Sequence, residues 1–482
     1  MSSTSESANV YAVARSGDHE APAIPASGAV LRDLQRVVKG SVVGPDDPAF
    51  EPARTVFYGG FDQRPAVIVR AADAGDVSRV ISFARDSGLE LAVRSGGHSA
   101  AGHSLSDGGI VLDLRDLCGL HIDAERRTAW AGSGLTAGEY TVAAGGYGLA
   151  TGFGDTGSVG LGGITLGGGV GYLVRKHGLT IDNLLAAEVV TADGQLCYID
   201  PRTEPDLFWA IRGGGGNFGV ATHFKFRLHP VDTVLGGMLF LPATPEVIAG
   251  FIAEAEAAPD ELSTILNVMP APPMPFLPPE QYGRLVAMAL MVYAGPVSDG
   301  ERAIAPLRAL AKPLADMVRP IRYPEMFPPE QDDYHPTAAG YTMFVERIDR
   351  AVAEIIVERL EASDAAMRAA QLRVLGGYMA RVPVEETAFA HRRSHILVNL
   401  AAFYNGPEDR AVRTAWVQDF AASLDQGDTG AYVNFLGDEG EARVRAAYPD
   451  ATWDRLSAIK ARYDPTNLFR RNQNVPPARQ SG

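Results

Sequence analysis

The stretch Leu91–Ser104, LAVRSGGHSAAGHS, carries the residues best suited to chemistry. A short apolar run ends in Arg94, Ser95, Gly96, Gly97 and His98, and a second Gly-His pair follows at Gly102 and His103. Glycine has no Cβ, so backbone N–H groups in such a turn can approach a ligand closely. Amides gathered this way make a concave seat for an anion such as a pyrophosphate. His98 stands just past the seat, where a nucleophilic imidazole could meet whatever ring system that anion carries. Taken alone, a glycine pair after a strand is more often an ordinary turn.

Two further glycine-rich stretches follow. Gly152–Gly171 reads GFGDTGSVGLGGITLGGGVG, with Val159, Leu161, Ile164, Leu166 and Val170 set among the glycines. A flexible linker would be rich in serine and free of such apolar punctuation. Close approach of backbone to an extended ligand accounts for it better. In DLFWAIRGGGGNFGVATHFKFRLHP, four consecutive glycines lead into a strand that alternates with period two.

The elements that position these loops are legible around them. Ala66–Val69 reads as a buried strand, Val77–Ser87 as a helix capped near Asp73 and stopped at Gly88, and Glu90–Val93 as a second strand. This βαβ unit delivers the first glycine turn. Strands are expected at Ile110–Leu114 and Thr128–Gly132, with a strand pair around Asp193-Gly194. Further on, helices are expected at Gly300–Leu310 and Arg350–Ala362 and a strand at Arg284–Tyr293, between proline-rich loops such as PAPPMPFLPPE.

A chain of 482 residues is too long for one core, so two or three domains are expected. A net charge of −15 argues against nucleic acid or an anionic membrane as partner. The first 26 residues lack the apolar core of a secretion signal and read as a loose leader; no apolar run approaches the ~20 residues of a membrane helix. A cytoplasmic location is the default expectation. Cys118 and Cys197 have no metal-ligand spacing and read as buried, inert thiols, and no metal site is expected. Nothing in the chain signals an oligomeric state.

Four motifs in order resemble the FAD-linked oxidases of the vanillyl-alcohol oxidase type, and within these the berberine-bridge-enzyme-like branch. They are RSGGHS at Arg94–Ser99, GSVGLGGITLGGGVGYLVRKHGLTIDNLL at Gly157–Leu185, DLFWAIRGGGGNFGV at Asp206–Val220, and YDPTNLFRRNQNVPP at Tyr463–Pro477. The resemblance implies an α+β protein: a PCMH-type FAD-binding domain of two subdomains, and an α+β substrate domain whose antiparallel sheet is backed by helices. The corresponding segments are a leader at 1–27, the FAD-binding domain at 28–232, the substrate domain at 233–435, and a return to the FAD-binding domain at 436–482.

The resemblance also implies site residues. His98 corresponds to the family's covalent anchor to the flavin 8α-methyl, and His103 reads as a pocket wall. Many members add a cysteinyl link; its position here is Thr156, whose hydroxyl cannot make it, so a single link through His98 is expected. Val159 corresponds to a position where valine accompanies reaction with dioxygen and leucine accompanies dehydrogenase behaviour. Cofactor contacts are expected from Arg94, Ser95, Gly96, Gly97, Ser99 and Ser104 in the first loop. Gly152, Asp155, Gly160, Gly162, Gly163, Gly167, Gly168, Gly169 and Gly171 supply them in the second, with Asn183 and Val189 beyond it. Asn472 and Asn474 of the RNQN segment are expected to donate to the flavin's carbonyl oxygens.

Hydride transfer to flavin requires a base. The resemblance points to a tyrosine in a Y-x-N-[YF] segment, here Tyr432-Val433-Asn434-Phe435, with strand alternation placing Tyr432 and Asn434 on one face. Tyr378 in GGYMARV is the second candidate, with Arg381 as a cation able to lower its pKa. Glu385, Glu386 and His391–Arg393 read as a solvated loop entering a strand, and Asp332-Asp333 as surface. The implied activity is oxidation of a CH–OH or activated C–H group of a small organic molecule, with dioxygen as acceptor. A dehydrogenase using another acceptor, and a flavin-binding protein without turnover, are the alternatives.

Overall fold

The computed structural model describes residues 27–328 and 334–479. The segment read as a leader, apart from Ser27, and the pair Asp332-Asp333 lie outside the described residues. Ser27 itself opens a helix, Ser27–Val37, that lays Val30 and Leu34 on the first sheet.

That sheet has four strands in the order Ser41–Val43, Val67–Arg70, Ile110–Asp113, Leu91–Arg94, parallel except at the first pair. The Ala74–Ser87 helix crosses between the parallel strands. Asp73 caps it by accepting from Asp76 N at 2.9 Å, and Gly88 closes it in the left-handed conformation at φ 70°. The crossover explains why the glycine loop lies where it does: Leu91–Arg94 is a sheet edge, and ligands gather beyond the carboxyl ends of parallel strands. A second sheet of five antiparallel strands runs Leu120–Asp123, Thr128–Gly132, Val220–Arg227, Leu184–Val190, Leu196–Ile199, the last two forming the hairpin around Asp193-Gly194.

The third sheet is antiparallel throughout. Its main path is Ala315–Asp316, Thr233–Pro242, Leu285–Tyr293, Leu262–Pro270, Arg368–Val374, Ile396–Phe403, Ala338–Val345. One face carries Ala370, Leu372, Val398 and Leu400 into a core shared with Ile356, Leu360, Val417 and Phe420 of two covering helices. Period two then turns Gln371, Arg373, Asn399 and Ala401 to the opposite face. After this sheet the chain rejoins the second sheet's core through Ala431, Leu436, Trp453 and Leu456. The architecture is the α+β one expected from the motifs, with an antiparallel sheet backed by helices.

Four local expectations fail. Cys118 is exposed because it falls in a loop, and Cys197 is half-buried because its strand, Leu196–Ile199, is a sheet edge. Val433–Phe435 is a single 3₁₀ turn instead of a strand. Arg381 pairs with Asp260 at the surface. The EETAFAHRR segment is not solvated throughout: Arg392 is fully buried, its guanidinium donating to both carboxylate oxygens of Asp182 at 2.8 Å.

Candidate active site

The first two glycine loops interlock backbone against backbone. A Cβ on Gly96 would stand 2.2 Å from the Gly160 nitrogen, and one on Gly160 would stand 2.1 Å from the Gly96 nitrogen. Ser95 ties the junction: its hydroxyl donates to the Ser133 carbonyl at 2.6 Å and accepts from Gly162 N at 3.2 Å. The short helix Leu161–Leu166 therefore starts against the turn, its first amide donating to the Leu135 carbonyl at 2.8 Å and its second to the Ser95 hydroxyl. Gly163 in that helix is exposed, and its Cβ position has no neighbour within 4 Å. It faces a cavity of about 510 Å³.

His98 stands at this cavity with its ring stacked on Phe57, centroids 4.0 Å apart and planes 18° apart. Its Nε2 lies 2.9 Å from the Ser158 hydroxyl. His103 lines the same cavity, and burial together with the nearby Arg471 guanidinium pushes its pKa down to about 4. It is a neutral wall at neutral pH. Ser95, Gly96, Gly97, Ser99, Ser104, Asp155, Thr156, Val159, Gly160, Gly162 and Gly163 also line the cavity, so the two loops meet as expected.

The remaining expected contacts do other work. Arg94 turns away to pair with Asp113 at 2.7 Å in the first sheet. Gly167 and Gly169 make room for protein groups: their Cβ positions lie 1.9 Å from Asn434 Oδ1 and 2.0 Å from Thr180 Oγ1. Gly171 abuts the Phe153 carbonyl, Gly152 abuts Leu173, and Gly168 faces Phe389. Asn183 is tied to the His177 and Leu179 carbonyls and to His229, and Val189 belongs to the second sheet's core. None of these residues lines the cavity. The glycine count of the second loop thus reflects tight chain crossings as much as a ligand.

At the other end, the Asn-rich segment is held by a buried pair. Lys460 donates to Asp464 at 2.6 Å and to the Asn217 and Phe469 carbonyls, while Asp464 accepts from the Leu468 and Phe469 amides. This brings Asn472 to the cavity. Its amide nitrogen already donates to the Gly216 and Phe469 carbonyls, which fixes the amide orientation, and its Oδ1 is buried without a partner among the described residues. Asn472 therefore offers an acceptor, not the donor expected from the motif. Asn474 lies off the cavity.

The third sheet roofs the cavity with Gly340, Gln371, Arg373, Asn399 and Ala401. Arg373 reaches across to Asp155 of the glycine loop at 2.8 Å; Gln371 Oε1 steadies it, accepting from Nε at 3.0 Å and Nη2 at 2.8 Å. Sequence reasoning missed these roof residues, and Phe57 and Tyr58 beside them, because RAAQLRV and RTVFY carry no motif.

Tyr432 lines the cavity, but its oxygen accepts from Gly169 N at 3.0 Å, Val170 N at 3.2 Å and Asn434 Nδ2 at 3.0 Å. Burial pushes its phenol above the ordinary tyrosine value despite those donors. With three donors on its oxygen, Tyr432 ties the glycine loop to the C-terminal segment, a role other than the base expected of it. Asn434 completes that tie by donating to Ile164 O as well. Tyr378 is 42% exposed on the helical turn Tyr378–Arg381 and does not line the cavity.

A seat of interlocked glycine backbone serves a dinucleotide, and a polar sheet above its far end leaves room for an organic substrate; together they define an FAD-dependent oxidoreductase. Residues 65–200 match the model of the FAD binding domain, and residues 431–476 that of berberine and berberine-like proteins. The chain is 31% identical over 456 residues to (R)-6-hydroxynicotine oxidase of Paenarthrobacter nicotinovorans, covering 91% of this chain and 97% of that protein. Among solved structures, 6-hydroxy-D-nicotine oxidase from Arthrobacter nicotinovorans superposes with a TM-score of 0.81 at 30% identity, over 92% of this chain and 98% of the other. Xylooligosaccharide oxidase from Myceliophthora thermophila C1, in complex with xylobiose, gives 0.80 at 26% identity over 94% and 100%. The chain belongs to the berberine-bridge-enzyme-like family of FAD-linked oxidoreductases.

The residues present fit FAD. The open space over Gly163 and the acceptor of Asn472, buried without a partner among the described residues, are what a flavin dinucleotide would fill. No helix among the described residues is long and apolar enough to cross a membrane.

Proposed function

We propose that this chain is an oxidase that holds FAD through a single covalent link at His98 and oxidises a small organic molecule at a carbon bearing a hydroxyl or amine. The observation that carries this reading is the position of His98, stacked on Phe57 at the wall of the glycine-lined cavity, with Thr156 on that wall where a second link would need a thiol. When bound, the flavin supplies a two-electron acceptor that dioxygen can reoxidise, releasing hydrogen peroxide.

The chain's own residues divide the remaining work. Phe57 and Ser158 fix the plane and rotation of the His98 ring. Asn472 holds an acceptor where a ring N–H can reach it. Tyr432 and Asn434 hold Gly169 and Val170 in register, keeping the wall of the cavity closed. Val159 stands on the cavity wall, and a valine at that position favours dioxygen as acceptor. The polar roof orients the substrate. The names of the relatives, a nicotine oxidase and an oligosaccharide oxidase, bracket the substrate class between cyclic amines and sugars.

Acid precipitation tests the link: yellow colour should stay with the protein, and colour left in the supernatant refutes it. Anaerobic bleaching against a panel of alcohols, aldoses and cyclic amines, followed by peroxide release in air, tests the activity. Bleaching without peroxide favours the dehydrogenase, and bleaching by no compound favours binding without turnover.

A further inference from the structure

We infer that Asp155 is the proton acceptor of the reaction and that Arg373 is its positioning residue; this rests on the oxidase reading above. Once Tyr432 and Tyr378 are set aside, Asp155 is the one carboxylate among the described residues that lines the cavity. It comes from the loop that carries Thr156 and Val159, so it stands on the cofactor side of the cavity, while its partner Arg373 hangs from the roof. Only Oδ2 is engaged by Arg373; Oδ1 makes no hydrogen bond among the described residues. The side chain of Asp155 is 19% exposed and that of Arg373 is 5% exposed, so the carboxylate borders the empty space and the guanidinium stands behind it.

The roof holds that guanidinium from two sides. Gln371 accepts from Arg373 with Oε1 and donates from Nε2 to Asn267 Oδ1 at 3.0 Å, one strand further. Phe435 closes the far side, the Arg373 guanidinium carbon 5.1 Å from its ring centroid. A planar cation fixed on both edges and one face can hold a carboxylate in one rotamer, as a base requires.

The other titratable groups facing Asp155 are phenols. Tyr58 and Tyr172 are buried, and both burial and the Asp155 charge push them above their ordinary value, so neither competes as base. His103 is a neutral wall in the first glycine loop beside Arg471. In the reaction the substrate's O–H or N–H bond breaks, its proton passes to Asp155 Oδ1, and a C=O or C=N bond forms. The adjacent C–H bond breaks with its electron pair, and a bound flavin would accept the hydride. Two electrons and two hydrogens leave the substrate: one as hydride, one as the proton on Asp155.

The test uses Asp155→Asn, which keeps the shape and removes the acceptor. With the panel compound that bleaches the wild-type holoenzyme fastest, its anaerobic bleaching should slow by about 10²–10⁴-fold. Flavin content and reoxidation by dioxygen after dithionite reduction should be unchanged, while the melting temperature falls because Arg373 loses its counter-ion. Bleaching within threefold of wild type overturns the assignment while leaving the oxidase reading intact. A second arm needs no substrate: sulfite, a small dianion that bleaches flavin on binding, should bind Asp155→Asn at least tenfold more tightly, because a negative charge has left the cavity. Unchanged sulfite affinity overturns the assignment even where no compound bleaches. Arg373→Lys should retain part of the bleaching rate with an altered pH profile, and Arg373→Met should lose it. Equal loss in both, with wild-type pH profiles, reduces Arg373 to a structural role and overturns that half of the inference.

Discussion

Two glycines of the second loop make opposite predictions about one added methyl group. Gly163 lies in the helix Leu161–Leu166 with its Cβ direction open to the cavity. Gly160, one turn earlier, faces the Gly96 nitrogen at 2.1 Å, closer than any real side-chain carbon sits. Gly163→Ala should therefore stabilise the flavin-free protein by up to about 1 kcal/mol, the helix-propensity difference. It should also weaken FAD binding, since the methyl occupies ligand space: an overpacking cost of about 1–3 kcal/mol is roughly 5–150-fold in affinity. Gly160→Ala should destabilise the protein itself by at least about 1–3 kcal/mol, because backbone on both sides must move. For a chain of this length, unfolding entropy is on the order of 1 kcal/mol/K, so the melting shifts are about 1 °C upward and 1–3 °C downward. Both substitutions belong in a His98→Ala background, where FAD can be removed and titrated back while flavin fluorescence and scanning calorimetry are followed. Wild-type-like FAD affinity for Gly163→Ala would show that this wall is not the cofactor's, and an unchanged melting temperature for Gly160→Ala would refute the interlocked loops.

Other substitutions probe the remaining joints. His98→Ala should release its flavin on acid precipitation, and adding Thr156→Cys to it should restore acid-stable colour if Thr156 lines the ring end of the cavity. Tyr432→Phe leaves the Gly169, Val170 and Asn434 N–H groups without their acceptor, each worth about 1–3 kcal/mol when buried, so urea midpoints should fall while flavin bleaching persists. Arg392→Met strands Asp182 in the core and should cost about 3–5 kcal/mol by denaturant titration. His177 and His229, stacked at 3.9 Å, are pushed down by burial to about 3 and about 4 respectively. The unfolded chain protonates near pH 6.5 and the folded pair does not, so stability is intact above 6.5 and should fall by a few kcal/mol toward pH 4. His229→Gln should flatten that slope in melting curves recorded between pH 7 and 4.

The sequence displayed the cofactor side of the cavity far better than the substrate side, for a physical reason. A backbone seat can only be made from glycine, so RSGGHS and GSVGLGGI advertise themselves, and a parallel crossover has a fixed grammar that Asp73 and Gly88 spell out. A roof made from one face of an antiparallel strand needs only a polar residue at every second position. Gln371 and Arg373 in RAAQLRV look like solvent-facing residues until the partner strand places Asn399 beside them and the loop brings Asp155 beneath. Glycine is also ambiguous about what approaches it: Gly167, Gly169 and Gly171 make way for Asn434, Thr180 and Phe153, and no local pattern separates them from Gly163, which makes way for nothing in the protein.

The same asymmetry explains the misplaced base. Tyr432 and Asn434 do meet, but through a 3₁₀ turn that folds the amide back onto the phenol rather than along a strand that would point both at substrate. Three donors on one buried oxygen make Tyr432 part of the scaffold. The proton must then go to a group free on one side and fixed on the other. Asp155 has that form because the cofactor loop supplies the carboxylate and the roof supplies its counter-ion. Neither half alone specifies chemistry. Closing the sheet over the loop creates the acid–base geometry, and a substitution that shifts the sheet, such as Asn267→Leu behind Gln371, should slow substrate bleaching while leaving flavin content as it was.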